Sequence, residues 1–286
     1  MDMNVAVVDY QAANAPELFT ESLLNTGFAV ITNHPLQQSL VEQIHREWLK
    51  FFDSDAKFHY AISAGNDGGY FSVAVSETAK GNSVRDIKEF FHVYANTLYP
   101  TEVSDAALQF REQASAIALT LLQWVQDNTP GEVRERFSMP LPDMMTGSTK
   151  TLLRILRYPP LTGQEPVGSM RAAAHEDINL LTVLPASNEP GLQVKDVHGN
   201  WHDVPCDFGS IAVNAGDMLQ LASGGYYPST THRVINPVGD AATKSRLALP
   251  LFLHPASDVI LADGRTAADF LAERVAELRS QDAPVA

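Results

Sequence analysis

The sequence predicts an α+β protein: a β-sandwich or barrel wrapped by helices that come mostly from the N-terminal half. Three observations carry that prediction. Before residue 150, apolar side chains recur at helical spacing over long stretches. After it, short β-rich runs alternate with turn residues, as in all-β sandwiches and barrels. No repeat and no low-complexity linker separates the two halves, so residues 1–286 are expected to form one domain.

Taken in order, residues 4–9 are an apolar strand. Residues 15–26 carry Leu18, Phe19, Leu23 and Leu24 at helical spacing, with Gly27 as the stop. A second strand covers 28–33, and Pro35 opens the next element. From 37 to 53, Leu40, Val41, Ile44, Trp48, Phe51 and Phe52 form one apolar helical face. The stretch 62–83 is polar, Gly-rich and without period, which predicts a long loop. A strand at 87–94, a long amphipathic helix at 104–127 and a shorter helical segment at 131–137 complete the wrapping region, 1–150. Strands are then expected at 151–158, 178–184, 191–196, 210–214, 217–222, 229–236 and 245–253. The turns between them include Glu189-Pro190-Gly191, His198-Gly199-Asn200 and Ala215-Gly216-Asp217. This β core spans 151–255. A last helix at 266–280, within the closing segment 256–286, puts Phe270, Leu271, Val275 and Leu278 on one side.

Composition narrows the function classes. A 45% hydrophobic chain can bury a sizeable core, and its 17 Gly and 17 Pro are scattered among turns. The net charge is −14, from 34 acids against 20 bases, with no basic stripe, so nucleic acid is not an expected partner. The longest apolar runs are about half the length of a membrane span, so no membrane partner is expected. The first ten residues hold two acids and no base, unlike a secretory signal. Cys206 is the single cysteine, which excludes an internal disulfide and a cysteine-based zinc site. A cytoplasmic monomer or weak homodimer is expected.

The chemistry concentrates at His175-Glu176-Asp177, with His232 lying 55 residues after Asp177. In extended chain, residues i and i+2 share a face, so His175 and Asp177 can grip one ion while Glu176 points away. Two imidazoles and a carboxylate on one face leave positions open, as non-haem Fe(II) requires to bind a cosubstrate and O₂ together. Zinc hydrolases also use such a set, but their helical His-Glu-x-x-His pattern is absent. Arg246 stands in an apolar strand. A buried cation there needs a partner: a diacid cosubstrate bound through two hydrogen bonds, or an internal Asp or Glu.

The segments RYPP, HEDINLLTVLP, GLQVKD, GNWHDVP, VNAGDMLQLAS, YYPSTTHRVINP and RLALPLFL resemble, in order and spacing, the core of isopenicillin N synthase-like, 2-oxoglutarate-using dioxygenases. VVDY, GFAVITNH and the GGYF to IKEFFHV stretch extend the resemblance over residues 4–255. It implies a double-stranded β-helix, or jelly roll, flanked by helices. It implies His175, Asp177 and His232 as Fe(II) ligands, and Arg246 as the anchor for the distal carboxylate of 2-oxoglutarate, with Tyr158 assisting. The implied activity couples decarboxylation of 2-oxoglutarate by O₂ to oxidation, most commonly hydroxylation, of a small molecule. The family usually reads Arg-x-Ser, whereas this chain has Arg246-Leu247-Ala248. It also has about four extra residues between His232 and Arg246, at 238–243; an even number in a longer hairpin leaves Arg246 facing the same way.

Candidate substrate residues are Tyr70 and Phe71 in the Gly-rich loop, Arg154, which shares a strand face with Leu156 and Tyr158, and Phe252. Each has a structural alternative: pinning the loop, a buried arginine, or core. His198 and His202 flank a hairpin turn and are expected to be solvated rather than a metal pair. His34, His45, His59, His92 and His254 have no partner spacing. Gln281 matches the position of a glutamine that can ligate iron in isopenicillin N synthase, and a frayed terminus is its alternative. Two other functions remain open: an Fe(II) oxidase that uses no 2-oxoglutarate, and a jelly-roll metabolite-binding protein without turnover.

Overall fold

Periodic apolar spacing sets the first elements of the computed structural model, which describes residues 3–62, 68–75, 85–187, 191–262 and 264–280. They are β1 (Val7–Asp9), α1 (Ala15–Thr26), β2 (Phe28–Thr32) and α2 (Gln38–Asp53). α1 stops because Gly27 adopts φ 71°, and its N–H closes on the Leu23 carbonyl. α2 buries Leu40, Val41, Ile44, Trp48, Phe51 and Phe52, the face that its spacing predicts. A 3₁₀ turn at Asp55–Tyr60 leads to β3 (Gly69–Phe71), and a second at Val73–Val75 precedes β4 (Glu89–Val93). α3 (Ala106–Asn128), the short α4 (Gly131–Arg134) and a 3₁₀ turn at Asp143–Met145 follow. Then come β5 (Leu152–Tyr158), β6 (Ala172–His175), β7 (Leu181–Pro185), β8 (Leu192–Lys195), β9 (Trp201–Asp203) and β10 (Ile211–Ala215). The chain continues through α5 (Asp217–Ala222), β11 (His232–Val234), a 3₁₀ turn at Gly239–Thr243, β12 (Arg246–Ala248), β13 (Leu251–Leu253) and α6 (Ala267–Ser280).

The strands form two sheets. The larger runs β1-β2-β10-β7-β13-β5-β4-β3, with β12 also on β5, and the smaller runs β6-β11-β8-β9. Pairing is antiparallel apart from β1 with β2. Alternation gives each strand of the larger sheet two different neighbours. On its inner face, Phe90, Leu156, Tyr158 and Ala248 meet Ala172, Val234 and Leu192 of the smaller sheet. Phe28 and Val30 likewise meet Val194. On its outer face, Phe91, Leu153, Ile155, Val183 and Leu251 join Trp48, Phe52, Phe110 and Leu121 of the helices in the main core. Each such buried side chain contributes about 1.5–3 kcal/mol, so the helical layer fixes which face of the large sheet is left for the site. This is a jelly-roll sandwich covered by helices on one side.

Several sequence expectations need correction. Residues 217–222 form helix α5, not a strand. The segment DMLQLA holds no β-branched residue, and Met, Leu, Gln and Ala are good helix formers. Residues 245–253 are two strands, because Pro250 has no N–H to give the ladder; both halves pair β5 in one continuous register, and the Pro250 carbonyl accepts from Arg154 N at 3.0 Å. Strands β6 and β9 were not anticipated: Ala172-Ala173-Ala174 has no β signature, and β9 is only three residues long. The loop expected at 62–83 contains β3, while 63–67 and 76–84 lie outside the described residues. The extra residues at 238–243 do not lengthen a hairpin but coil into the 3₁₀ turn at Gly239–Thr243. The first 150 residues also do more than wrap, since β1 to β4 are strands of the larger sheet. Among the described residues, no helix is long and apolar enough to cross a membrane.

Candidate active site

β11 lies against β6, and the register makes His232 the direct partner of His175. Their rings sit 4.3 Å apart between centroids. Asp177 follows β6 by two residues, in a bend that α5 holds in place. Asp217 N–H donates to the Asp177 carbonyl at 2.7 Å, and Met218 N–H to that of Ile178 at 3.1 Å. This is why the residues after His175 do not continue as strand. Gly216 permits the approach, because a Cβ there would stand 2.2 Å from the Asn179 carbonyl oxygen.

The three donors converge. Asp177 Oδ1 lies 3.9 Å from His175 Nε2 and 3.8 Å from His232 Nε2. Among the described residues, this is the one His/Cys/Asp/Glu group whose donor atoms lie close enough to hold a metal ion. The remaining atoms of each side chain are already engaged. His175 Nδ1 meets the Ala173 carbonyl at 2.8 Å and His232 Nδ1 meets the Thr230 carbonyl at 3.1 Å. A carbonyl only accepts, so each Nδ1 carries a proton and each Nε2 is the ring nitrogen turned toward Asp177. Asp177 Oδ2 accepts from Thr182 Oγ1 at 2.5 Å and from Asn214 Nδ2 at 2.8 Å, leaving Oδ1 toward the two Nε2 atoms.

Electrostatics prepare the same state. Burial, and then the neighbouring His232, push His175 down to about 4, so its imidazole is neutral at neutral pH. Burial opposes ionisation of Asp177, but His232, His175, Asn214 and Thr182 outweigh it and hold the carboxyl below its usual range. A neutral His175 imidazole, a second imidazole aligned with it and an ionised carboxylate form a donor set that a divalent transition metal binds. Glu176 points elsewhere, accepting a hydrogen bond from Thr231 Oγ1.

Along the inner face, Arg246 on β12 is the register partner of Tyr158 on β5. Arg246 is 4% exposed, and its guanidinium carbon lies 5.7 Å from the Tyr158 ring centre. Its Nε donates to Ser187 Oγ at 3.0 Å, and that hydroxyl donates in turn to the Leu247 carbonyl at 3.1 Å. Ser187, after β7, therefore orients the arginine in a chain whose position 248 offers no hydroxyl. Gly191 borders it closely: a Cβ there would lie 3.4 Å from Arg246 Nη1. Burial raises the Tyr158 hydroxyl, with Arg246 the strongest opposing charge, so it remains a hydrogen-bond donor. A buried guanidinium beside a tyrosine ring fits a carboxylate group, and the triad fits iron.

The other expected residues separate. Phe71, Arg154 and Phe252 face the sandwich interior. Tyr70 does not. Being adjacent to Phe71 in β3, it turns to the helical layer, donates to Glu89 Oε2 at 2.6 Å and packs against Phe52 and Phe58. His202 Nε2 bonds Asp196 Oδ2 at 2.8 Å, and His198 is exposed. Gln281 lies outside the described residues. Sequence reasoning passed over the buried pair Lys88–Asp86, 2.8 Å apart, whose Asp86 Oδ1 accepts from Ala173 N on the strand that carries His175. It also passed over Ser187, Thr182 and Asn214. Two opposite charges flanking Ile87 at the head of an apolar strand were the one available signal for the pair.

Comparison with known proteins agrees with this geometry. Residues 150–255 match the model of the 2OG-Fe(II) oxygenase superfamily, and residues 7–113 match that of the N-terminal region of the non-haem dioxygenases in morphine synthesis. A Shewanella oneidensis protein of known crystal structure, whose description as an oxygenase is provisional, is 50% identical, with TM-score 0.87 over 96% of this chain and 99% of that one. Among curated relatives, gibberellin 3-beta-dioxygenase 4 of Arabidopsis thaliana is 26% identical over 92% of this chain and 75% of its own. A proline hydroxylase of Petromyces alliaceus is 27% identical over 90% of this chain and 89% of its own. The chain belongs to the 2OG-Fe(II) oxygenase superfamily. It is an oxidoreductase that works with Fe(II), 2-oxoglutarate and O₂.

Proposed function

We propose that this enzyme hydroxylates a small organic molecule, with His175, Asp177 and His232 as the Fe(II) ligands and Arg246 as the anchor for the distal carboxylate of 2-oxoglutarate. The observation that carries the reading is the convergence of Asp177 Oδ1 and the two Nε2 atoms within 4 Å, with every other polar atom of the three side chains bonded to the protein. Fe(II) and 2-oxoglutarate supply the oxidising chemistry, in which O₂ decarboxylates the cosubstrate to succinate while the substrate is oxidised.

The protein's part is positional and electrostatic. Ala173 and Thr230 carbonyls fix the imidazole tautomers, and Thr182 with Asn214 fix the rotation of the Asp177 carboxylate. Ser187 sets the direction of Arg246, and the Tyr158 ring lies beside it with its hydroxyl kept protonated by burial. Phe90, Leu156 and Ala248 line the space between the sheets with apolar surface, which excludes water from the carboxylate pairing. The named relatives act on substrates as unlike as a gibberellin and proline, which supports a small-molecule substrate without specifying one. A cytoplasmic, monomeric or weakly dimeric enzyme is consistent with the single cysteine and acidic composition.

The test is succinate formation from labelled 2-oxoglutarate, with and without Fe(II). Iron-dependent succinate supports the reading. Iron uptake with no 2-oxoglutarate binding would favour an oxidase, and 2-oxoglutarate binding without turnover under any substrate would favour a binding protein.

A further inference from the structure

Two arginines face the interior along one strand ladder, and the cosubstrate reading uses only one of them. Arg154 and Tyr158 lie four residues apart on β5 with the same facing, and Tyr158 is the register partner of Arg246. At roughly 3.3 Å per residue, the two stations are about 13 Å apart along the strand. By ordinary bond lengths, the carboxyl carbons of 2-oxoglutarate are only roughly 5 Å apart. The side chains diverge further. Arg246 leans on Ser187, whereas the Arg154 guanidinium carbon stands 4.4 Å from the Phe90 ring centre and 5.5 Å from that of Phe252. Arg154 Nε donates to His92 Nε2 at 2.9 Å.

This second cation lies on the metal's side of the sandwich. Phe252 is the register partner of Thr182, whose hydroxyl holds Asp177. Phe71 stacks on Phe90 at 4.7 Å, so a wall of rings runs beside the guanidinium. Phe71, Arg154 and Phe252 are only half-buried although they face inward, while Leu156 and Tyr158 are closed over. Inward-facing yet accessible, these three side chains leave surface between the sheets for a ligand to meet. Stacking on rings covers the faces of a guanidinium, and its in-plane N–H edge is the geometry that a carboxylate meets.

We infer that Arg154 anchors a carboxylate of the substrate, with Phe71, Phe90 and Phe252 against the substrate's apolar body. This rests on the Fe(II)/2-oxoglutarate reading above and deepens it: the enzyme takes an organic acid, held by the pole opposite the one that holds the cosubstrate.

The experiment titrates the anaerobic protein, loaded with Fe(II) and 2-oxoglutarate, with benzoate, phenylacetate, 3-phenylpropanoate and hexanoate, and with the amide of each. At least one acid should bind at millimolar concentration, its amide about tenfold more weakly or worse. Arg154→Gln should bring the acid to the level of its amide while 2-oxoglutarate still binds, and Arg246→Ala should do the reverse. Arg154→Lys, which keeps the charge, should retain part of the preference, and thermal unfolding of each variant shows whether the fold survives. No acid binding, equal binding of acid and amide, unchanged acid binding in Arg154→Gln, or loss of 2-oxoglutarate in that variant would each overturn the assignment. Failure of the wild type to bind 2-oxoglutarate would instead strike the cosubstrate reading, and the same acids titrated into the Fe(II)-only protein would still read Arg154.

Discussion

Arg246→Ala removes a guanidinium that is 4% exposed, so its pairing with a carboxylate occurs where solvent screens little. Truncating one partner of a buried, hydrogen-bonded charge pair costs about 2–5 kcal/mol, much of it from the charge left unmatched. At 1.4 kcal/mol per tenfold, 2-oxoglutarate should bind roughly 30- to 4,000-fold more weakly. Ser187→Ala should cost less, about 0.5–1.5 kcal/mol, because it removes only the acceptor that orients Nε. Ala248→Ser, which adds a hydroxyl two residues along the same inner face, should tighten binding by up to about 1–2 kcal/mol. None of these residues touches the triad, so iron content should not change. Isothermal titration of 2-oxoglutarate into the anaerobic Fe(II)-loaded protein measures all three. Wild-type affinity in Arg246→Ala, or a Ser187→Ala loss as large as that of Arg246→Ala, would refute the assignment of Arg246 as the carboxylate anchor.

His175→Ala, Asp177→Ala and His232→Ala should each abolish stoichiometric iron uptake in equilibrium dialysis, whereas Glu176→Gln should retain it; an essential Glu176 with a dispensable Asp177 would contradict the geometry. Gly216→Ala should destabilise the fold by about 1–3 kcal/mol in urea unfolding, since its Cβ would press on the Asn179 carbonyl at 2.2 Å. Burial lowers His45 and His254 from 6.5 to about 4. The unfolded chain therefore binds their protons first, and their contribution to stability is level above pH 6.5 and declines as pH falls toward 4. Urea unfolding of the metal-free protein across that window should show the decline, and His45→Gln should make it shallower; an unchanged slope would remove His45 from the explanation.

Local patterns in the sequence determined the helices other than α5 and the identity of the three convergent side chains. The apolar face of α2 was legible because a helix repeats on a short, fixed period, and His175-x-Asp177 was legible because alternation is a property of three neighbouring residues. What alternation leaves open is which face is inside. Tyr70 and Phe71 must oppose each other, but only the packing of α2 against the large sheet assigns Tyr70 to the helices and Phe71 to the interior. The same limit applied to 217–222, where an apolar run fits a strand or a helix until Asp217 and Met218 are seen closing on the carbonyls that follow His175. The pairing of His232 with His175, the support of Asp177 by Asn214 and the seat of Arg246 on Ser187 join segments 37 to 59 residues apart. Such contacts are decided by sheet register, which depends on how two faces pack together and leaves no mark in either segment alone.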